Sequence, residues 1–379
     1  MPDTVPRDDG AGSRHEAGAQ PRVPPWRRRL LRSVSAFCTP LVPDDYVELV
    51  NPLWSTRELR GRIERIVPET ADAATVLIRP GWDWPGHQPG QFLRIGIVVD
   101  GIHHWRAYSL TSEPGRADGC IAITPKAAEG GTVSPYLVRS ARRGVIVRLG
   151  AAQGDFVLPH RLPDQLLFVS AGSGITPIIS MLRFLRERDA LTGVVLLHSD
   201  RTPQDVIFGP ELRELSARHP GFELHEQYTA GRGRLSPQSL EHLCPDWRER
   251  EAFLSGPSAM LATMSRHWAK AGNRNRLHWE RFQPGTGLPE APLGEGGTIY
   301  FRDSGVAARS DGTTPILVAG EQAGARLPYG CRMGICHTCV GRLCSGRVRN
   351  LRTGAITGPH GELVRTCIHA PEGDVEIAL

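Results

Sequence analysis

The sequence predicts a multidomain chain of three successive units: an antiparallel β-barrel, an α/β unit on a parallel sheet, and a smaller α+β unit at the C-terminus. Three observations predict this. Short β-branched runs between Gly/Pro turns fill residues 51–160, buried strands alternate with helical stretches over 161–282, and five of the eight cysteines fall in the last 50 residues. With 379 residues the chain can bury two or three cores of ordinary size.

Composition narrows the function classes. Hydrophobic residues make up 40% and charged residues 22%, ordinary globular usage. The formal net charge of +5 is small for this length and no aromatic residues interleave with a basic stripe, so a nucleic-acid partner is not expected. No stretch approaches the roughly 18 apolar residues of a membrane span. The N-terminus, with Asp3, Arg7, Asp8 and Asp9, lacks the apolar region of a signal peptide. A cytoplasmic location follows as the expectation, and clustered cysteines there point to metal ligands or thiols rather than disulfides.

Residues 1–50 read as a disordered tail and leader, the first 25 being mostly Gly, Ala, Pro, Arg and Asp. Residues 26–32, Trp-Arg-Arg-Arg-Leu-Leu-Arg, suit either a solvated basic turn or peripheral contact with an anionic membrane. The barrel strands are expected around Thr75–Ile78, Phe92–Ile95 and Val145–Leu149. Beyond residue 158, Leu166–Ser170 leads through glycines into a helix, Val194–His198 opens the next repeat, and Ala252–Ser255 precedes a helix over Met260–Ala271. Residues 283–297 have no periodicity and abundant Gly and Pro, as a linker would. Residues 298–379 form the third unit, with a strand at Thr298–Arg302 and a helix at Ile316–Ala325.

The C-terminal cysteines carry the most specific signal. Cys331, Cys336 and Cys339 have the spacing C-x4-C-x2-C, and Cys367 follows 28 positions later, the plant-type [2Fe–2S] ligand pattern. Gly330 and Gly334 permit the close backbone approach that cluster sulfurs need. A four-thiolate Zn²⁺ site in a non-catalytic protein is the alternative; zinc ribbons, however, usually pair two C-x2-C hairpins, whereas here three ligands share one loop. Cys344 falls outside the pattern.

Gly172-Ser173-Gly174-Ile175-Thr176-Pro177 follows an apolar strand and opens a helix, so backbone N–H groups face the place of a dinucleotide pyrophosphate. Gly172, Gly174, Thr176 and Pro177 are the candidate binding residues there. After the second strand, Ser199 and Arg201 suit the 2′-phosphate of NADPH, with Arg232 or Arg234 assisting; Asp200 suits the free 2′-OH of NADH.

In the barrel, Arg106-Ala107-Tyr108-Ser109 is preceded by Pro89-Gly90-Gln91-Phe92 and followed by Gly131-Thr132-Val133-Ser134. Together, in this order, these segments resemble the ferredoxin–NADP reductase superfamily, whose members set an R-x-Y-S/T motif and a G-x-x-S motif around FAD. The resemblance implies a flavin-binding barrel, a nicotinamide domain and a β-grasp ferredoxin domain. It also implies roles: Arg106 for the pyrophosphate, Tyr108 over the isoalloxazine, Ser109 near its N5, and residues 131–134 at a phosphate. Ser255-Gly256-Pro257-Ser258-Ala259-Met260 resembles the superfamily's C-G-P-x-x-M motif, with Ser255 where cysteine is usual. Tyr108, Ser109 and Ser255 are thereby the candidate catalytic residues, and Gly256 and Pro257 line the nicotinamide. Glu280 and Phe282 suit either contact with the flavin or ordinary packing at the domain end.

The leader Cys38–Tyr46 and the loop Cys331–Cys339 are most similar to actinobacterial reductases serving stearoyl-CoA desaturases. The activity implied is electron transfer from NADPH, with NADH possible, through FAD and a [2Fe–2S] cluster to an acceptor protein, a membrane fatty-acyl desaturase. A reductase for a Rieske oxygenase or a P450 uses the same modules. Between Cys331 and Cys367 stand Arg332, Arg342, Arg347, Arg349, Arg352 and Arg365 against the single carboxylate Glu362, which predicts a basic docking face for the acceptor.

Overall fold

The computed structural model describes residues 48, 50–55, 57–99, 101–280, 295–329, 334, 337–351, 354–358 and 361–379. Residues 26–32, most of the 283–297 linker, Phe282, Cys331 and Cys336 lie outside this set. Glu48, assigned to the leader, is tied to the first unit: it accepts from Ser55 Oγ at 2.7 Å and pairs with Arg60 at 3.0 Å.

The first unit is a six-stranded antiparallel sheet of β1 (Arg60–Pro68), β2 (Ala74–Pro80), β3 (Phe92–Val99), β4 (Ile102–Ser109), β5 (Ile121–Ile123) and β6 (Ile146–Leu149), in the order β4-β3-β6-β1-β2-β5. A bridge between Leu110 and Ile123, with Thr111 N–H donating to Ala122 O at 2.8 Å, joins the two outer strands and closes the barrel. Period-two alternation drives it. In β6, Val147 and Leu149 are buried while Ile146 and Arg148 face out. The inward set, including Ile63, Ile78, Leu93, Ile95 and Leu110, forms one apolar core.

The second unit has β7 (Leu166–Ala171), α1 (Ile175–Arg186), β8 (Val194–Asp200), α2 (Gly209–Arg218), β9 (Phe222–Tyr228), α3 (Pro237–Leu243), β10 (Glu251–Ser255), α4 (Ser258–Lys270) and β11 (Leu277–Glu280). Its sheet runs β11-β10-β7-β8-β9, every pair parallel. All seven residues of β8 are buried, the continuous burial of a strand covered on both faces. The chain turns from β7 outward to β8 and β9, then returns to place β10 on the other side. Such a reversal opens a crevice at the C-terminal ends of β7 and β10.

The two units are joined by α1. Ser180 Oγ donates to Ser112 O at 2.7 Å, and Arg183 donates to Thr111 O at 2.6 Å while a bidentate pair holds it to Glu211. Helix α1 is thus bonded to the segment that continues β4.

The third unit contains β12 (Gly297–Phe301), β13 (Val306–Ser310), α5 (Ile316–Gln322), β14 (Val340–Asn350), β15 (Ile356–Thr357), β16 (Leu363–Arg365) and β17 (His369–Ala378). Its order is β13-β12-β17-β14-β15, with β16 beside β14. The parallel β12–β17 pair between antiparallel neighbours, with α5 packed on the sheet through Ile316 and Leu317, is a β-grasp arrangement. Gly296 and Gly297, drawn in the linker from sequence, belong to this sheet: Gly296 bridges to Glu372 and Gly297 pairs with Ser310. Among the described residues no helix is long and apolar enough to cross a membrane.

Candidate functional site

Register places the flavin motif. On β4, Ser109 pairs with Phe92, Tyr108 with Leu93 and Arg106 with Ile95. Arg106 and Tyr108 are half-buried, and desolvation pushes the Tyr108 phenol far above its ordinary range, so it stays protonated. Arg106 donates to its own strand at Trp105 O, 2.8 Å, and no ion pair engages it among the described residues. Ser109 is 5% exposed, and its Oγ has no hydrogen-bond partner among the described residues.

Residues 131–134 form the turn into a short helix. Ser134 Oγ accepts from Ala128 N at 3.1 Å, which shapes the turn and leaves its hydroxyl proton for another acceptor. Gly131 and Thr132 are exposed. Val133 points into the barrel core, 1% exposed, so it offers a ligand only its backbone.

In the second unit Gly172–Gly174 form a tight turn ahead of α1, Gly172 at φ +54°. Thr176 Oγ1 donates back to Ser173 O at 2.9 Å, and Thr176 and Pro177 are buried. These two therefore brace the turn. A Cβ at Gly174 would lie 2.1 Å from Ser255 O, so only glycine lets the β7 and β10 loops touch. The glycine turn and the Ser255-Gly256-Pro257 segment, 81 residues apart between Gly174 and Ser255, thereby line one crevice. Ser255 is fully buried, its Oγ without a hydrogen-bond partner among the described residues, and β11 sets Glu280 beside it in register.

At the far end of the crevice Ser199 and Asp200 are buried, at 4% and 7% exposure. Asp200 faces inward, its Oδ1 accepting from Arg201 N at 2.8 Å. The Arg201 guanidinium points out, 66% exposed, with Asp205 at 3.0 Å. The turn carrying Arg232 packs beside it, Ala230 N–H donating to Arg201 O at 3.2 Å, and Arg232 and Arg234 are exposed.

In the third unit Cys339 and Cys367 are buried at 1% and 4%. Gly334 N–H donates to Cys367 Sγ at 3.1 Å, and Thr366 bonds Cys339 O through both its backbone N–H and its hydroxyl. Gly334, at φ +72°, has Ile368 Cδ1 2.4 Å from where a Cβ would sit, so the position admits only glycine. Arg365 donates to Gly334 O at 2.6 Å.

The basic docking face needs correction at one member. Arg349 and Glu372 form a bidentate pair with side chains only 12% and 6% exposed. Arg349 is a structural cation, neutralised by a carboxylate outside the window counted in sequence. Among the described members Arg342 and Arg347 are exposed, whereas Arg365 bonds Gly334 O; Arg332 and Arg352 lie outside the described residues.

Three family models match the chain in the order of its units: an oxidoreductase FAD-binding domain over 85–158, an oxidoreductase NAD-binding domain over 168–266 and a 2Fe-2S iron-sulfur cluster binding domain over 300–372. An NADPH oxidoreductase of Mycobacterium tuberculosis is 48% identical over 94% of this chain and 93% of its own length. The chain belongs to the FAD- and NAD-binding oxidoreductases with a C-terminal [2Fe–2S] domain. Another member, the stachydrine N-demethylase reductase subunit of Rhizobium meliloti, is 31% identical over 80% of this chain and 91% of its own. The fold is that of phthalate dioxygenase reductase, matched at TM-score 0.55 and 22% identity over 84% of this chain and 97% of that one.

The residues present fit this flavin iron–sulfur family's cofactors. Arg106 has no carboxylate partner among the described residues, so it is open to a pyrophosphate. The buried hydroxyls of Ser109 and Ser255 call for acceptors or donors that the described residues do not supply. A backbone N–H aimed at Cys367 Sγ is what a cluster thiolate requires. Sequence reasoning missed Ser112, Ser180 and Arg183, which tie the flavin-barrel strand to the nicotinamide helix. Their signal is purely tertiary, because the Ser112–Ser180 contact spans 68 positions.

Proposed function

We propose that this reductase carries electrons from NADPH through FAD and the [2Fe–2S] cluster to a membrane fatty-acyl desaturase. When bound, FAD would supply acceptance of one hydride, an electron pair with its hydrogen, and release of those two electrons one at a time, and the cluster would supply single-electron relay. Arg106 and the 131–134 turn hold the flavin phosphates, Tyr108 covers its ring, and the Ser109 hydroxyl hydrogen-bonds it. The Gly172–Gly174 turn and the α1 N-terminus hold the nicotinamide dinucleotide, with Ser255 and Gly256 at its nicotinamide end. Cys331, Cys336, Cys339 and Cys367 ligate the irons. The bonds from α1 to Thr111 and Ser112 keep the two nucleotide sites in a fixed relation, so approach of the reacting atoms needs little reorganisation.

The observation that carries the NADPH reading is the orientation at the end of β8: Asp200 is turned inward and bonded, while Arg201 faces solvent. A ribose 2′-OH reader needs a carboxylate facing out; a phosphate reader needs the guanidinium. The mycobacterial relative's name is in accord. The desaturase reading is supported by the leader and cluster-loop likeness to desaturase reductases, and the N-demethylase relative supports the oxygenase alternative. NADPH oxidation by the purified holoprotein, assayed with a membrane desaturase and separately with a Rieske oxygenase, tests the acceptor. Turnover with the oxygenase alone rejects the desaturase.

A further inference from the structure

Behind the nucleotide loop lies a polar array that the electron path does not use. Ser170 Oγ and His198 Nδ1 are 2.7 Å apart, joining β7 to β8 in register, and both residues are wholly buried. On the same face of β8, two residues on, Asp200 Oδ2 lies 3.9 Å from His198 Nε2. Neither atom has a hydrogen-bond partner among the described residues. Asp200 Oδ1 takes the Arg201 N–H at 2.8 Å, so the carboxylate is held by that N–H on one oxygen and faces the imidazole with the other.

The imidazole is neutral: burial, with Lys126 of the barrel nearby, pushes its pKa down to about 3. When the Ser170 hydroxyl donates to Nδ1, the imidazole proton sits on Nε2, the ring nitrogen that lies 3.9 Å from Asp200 Oδ2, outside hydrogen-bond range but close enough for charge–dipole attraction. The charges facing Asp200 are Lys126, which favours its ionised form, and Asp205 and Arg201 of its own loop. Burial raises its pKa, so the inward position needs each favourable contact.

We infer that His198 is a positioning residue for nucleotide choice: it keeps the Asp200 carboxylate inside the sheet, away from the 2′-phosphate that Arg201 reads. Without the Nε2–H, the desolvated carboxylate rotates toward water, where it repels a 2′-phosphate and accepts from a free 2′-OH. The inference rests on the NADPH reading of the site. It makes His198 a determinant of specificity that never touches the nucleotide.

The test is titration calorimetry of the full-length holoprotein with 2′,5′-ADP and with 5′-AMP. His198→Leu should lower the ratio of the two affinities by at least about tenfold, since like charges brought together discriminate strongly. Adding Asp200→Asn should restore the ratio to within about threefold of wild type, because the pair acts as one unit. Ser170→Ala, a gentler change that frees the imidazole tautomer, should lower the ratio less and be rescued by the same Asp200→Asn; it carries the comparison if His198→Leu does not fold. An unchanged ratio in His198→Leu, or a lowered ratio that Asp200→Asn does not rescue, overturns the inference. A wild-type chain that prefers 5′-AMP overturns the NADPH reading itself.

Discussion

The nicotinamide unit and the iron–sulfur unit each set an arginine beside a carboxylate near their chemistry, and the two pairs have opposite uses. Arg201 is 66% exposed against Asp205 at 22%, a solvent-facing pair that contributes little stability and exchanges its partner readily. Arg349 is 12% exposed against Glu372 at 6%, joining β14 to β17 across the β-grasp sheet. Breaking that pair leaves a buried carboxylate without its guanidinium. Burial, not charge count, separates an arginine open to a ligand from a structural one.

The comparison is broken most severely at the cluster. Cys367→Ser should abolish electron delivery to the protein acceptor and remove iron, while NADPH-dependent reduction of a small dye persists; iron analysis beside the dye assay measures both. Loss of dye reduction with FAD still bound would mean that the two units do not act in sequence. Next in size, Arg201→Ala should shift NADPH-over-NADH selectivity by about tenfold to a hundredfold, the worth of one charge-assisted phosphate contact. Its thermal stability should stay at wild type. Arg349→Ala should do the reverse, costing about 2 kcal/mol in denaturant unfolding with nucleotide selectivity unchanged.

A pH series sharpens the contrast. The hydrogen bond from Arg349 holds the Glu372 carboxyl below its ordinary range. A depressed folded pKa contributes stability above the unfolded glutamate value and loses it as pH falls through the folded value. The iron–sulfur unit should therefore lose stability on acidification below the ordinary glutamate range, and Glu372→Gln should flatten that dependence. The smallest expected effect is at Arg347, which is exposed: Arg347→Glu should change stability by no more than about 0.5 kcal/mol. It should still slow the acceptor-dependent rate at low salt, and a rate indifferent to both charge and salt would remove this face from docking.

What the sequence determined by itself is the order of units and the chemistry each carries. Period-two runs, strand-to-helix alternation and the spacing of Cys331, Cys336, Cys339 and Cys367 are local patterns, and local patterns survive in one dimension. Tertiary structure alone decided which polar groups are available. Asp200 and Arg201 are neighbours in sequence with opposite fates, because β8 is covered on both faces as far as Asp200, its last residue, and Arg201 stands just past its end. Arg349 looked like surface charge until β17 brought Glu372 to it from 23 positions away. Ser255 met the glycine turn only because Gly174 lets two distant loops touch. In each case a side chain's burial and partner come from strands far apart in the chain, a relation that spacing along the sequence does not encode.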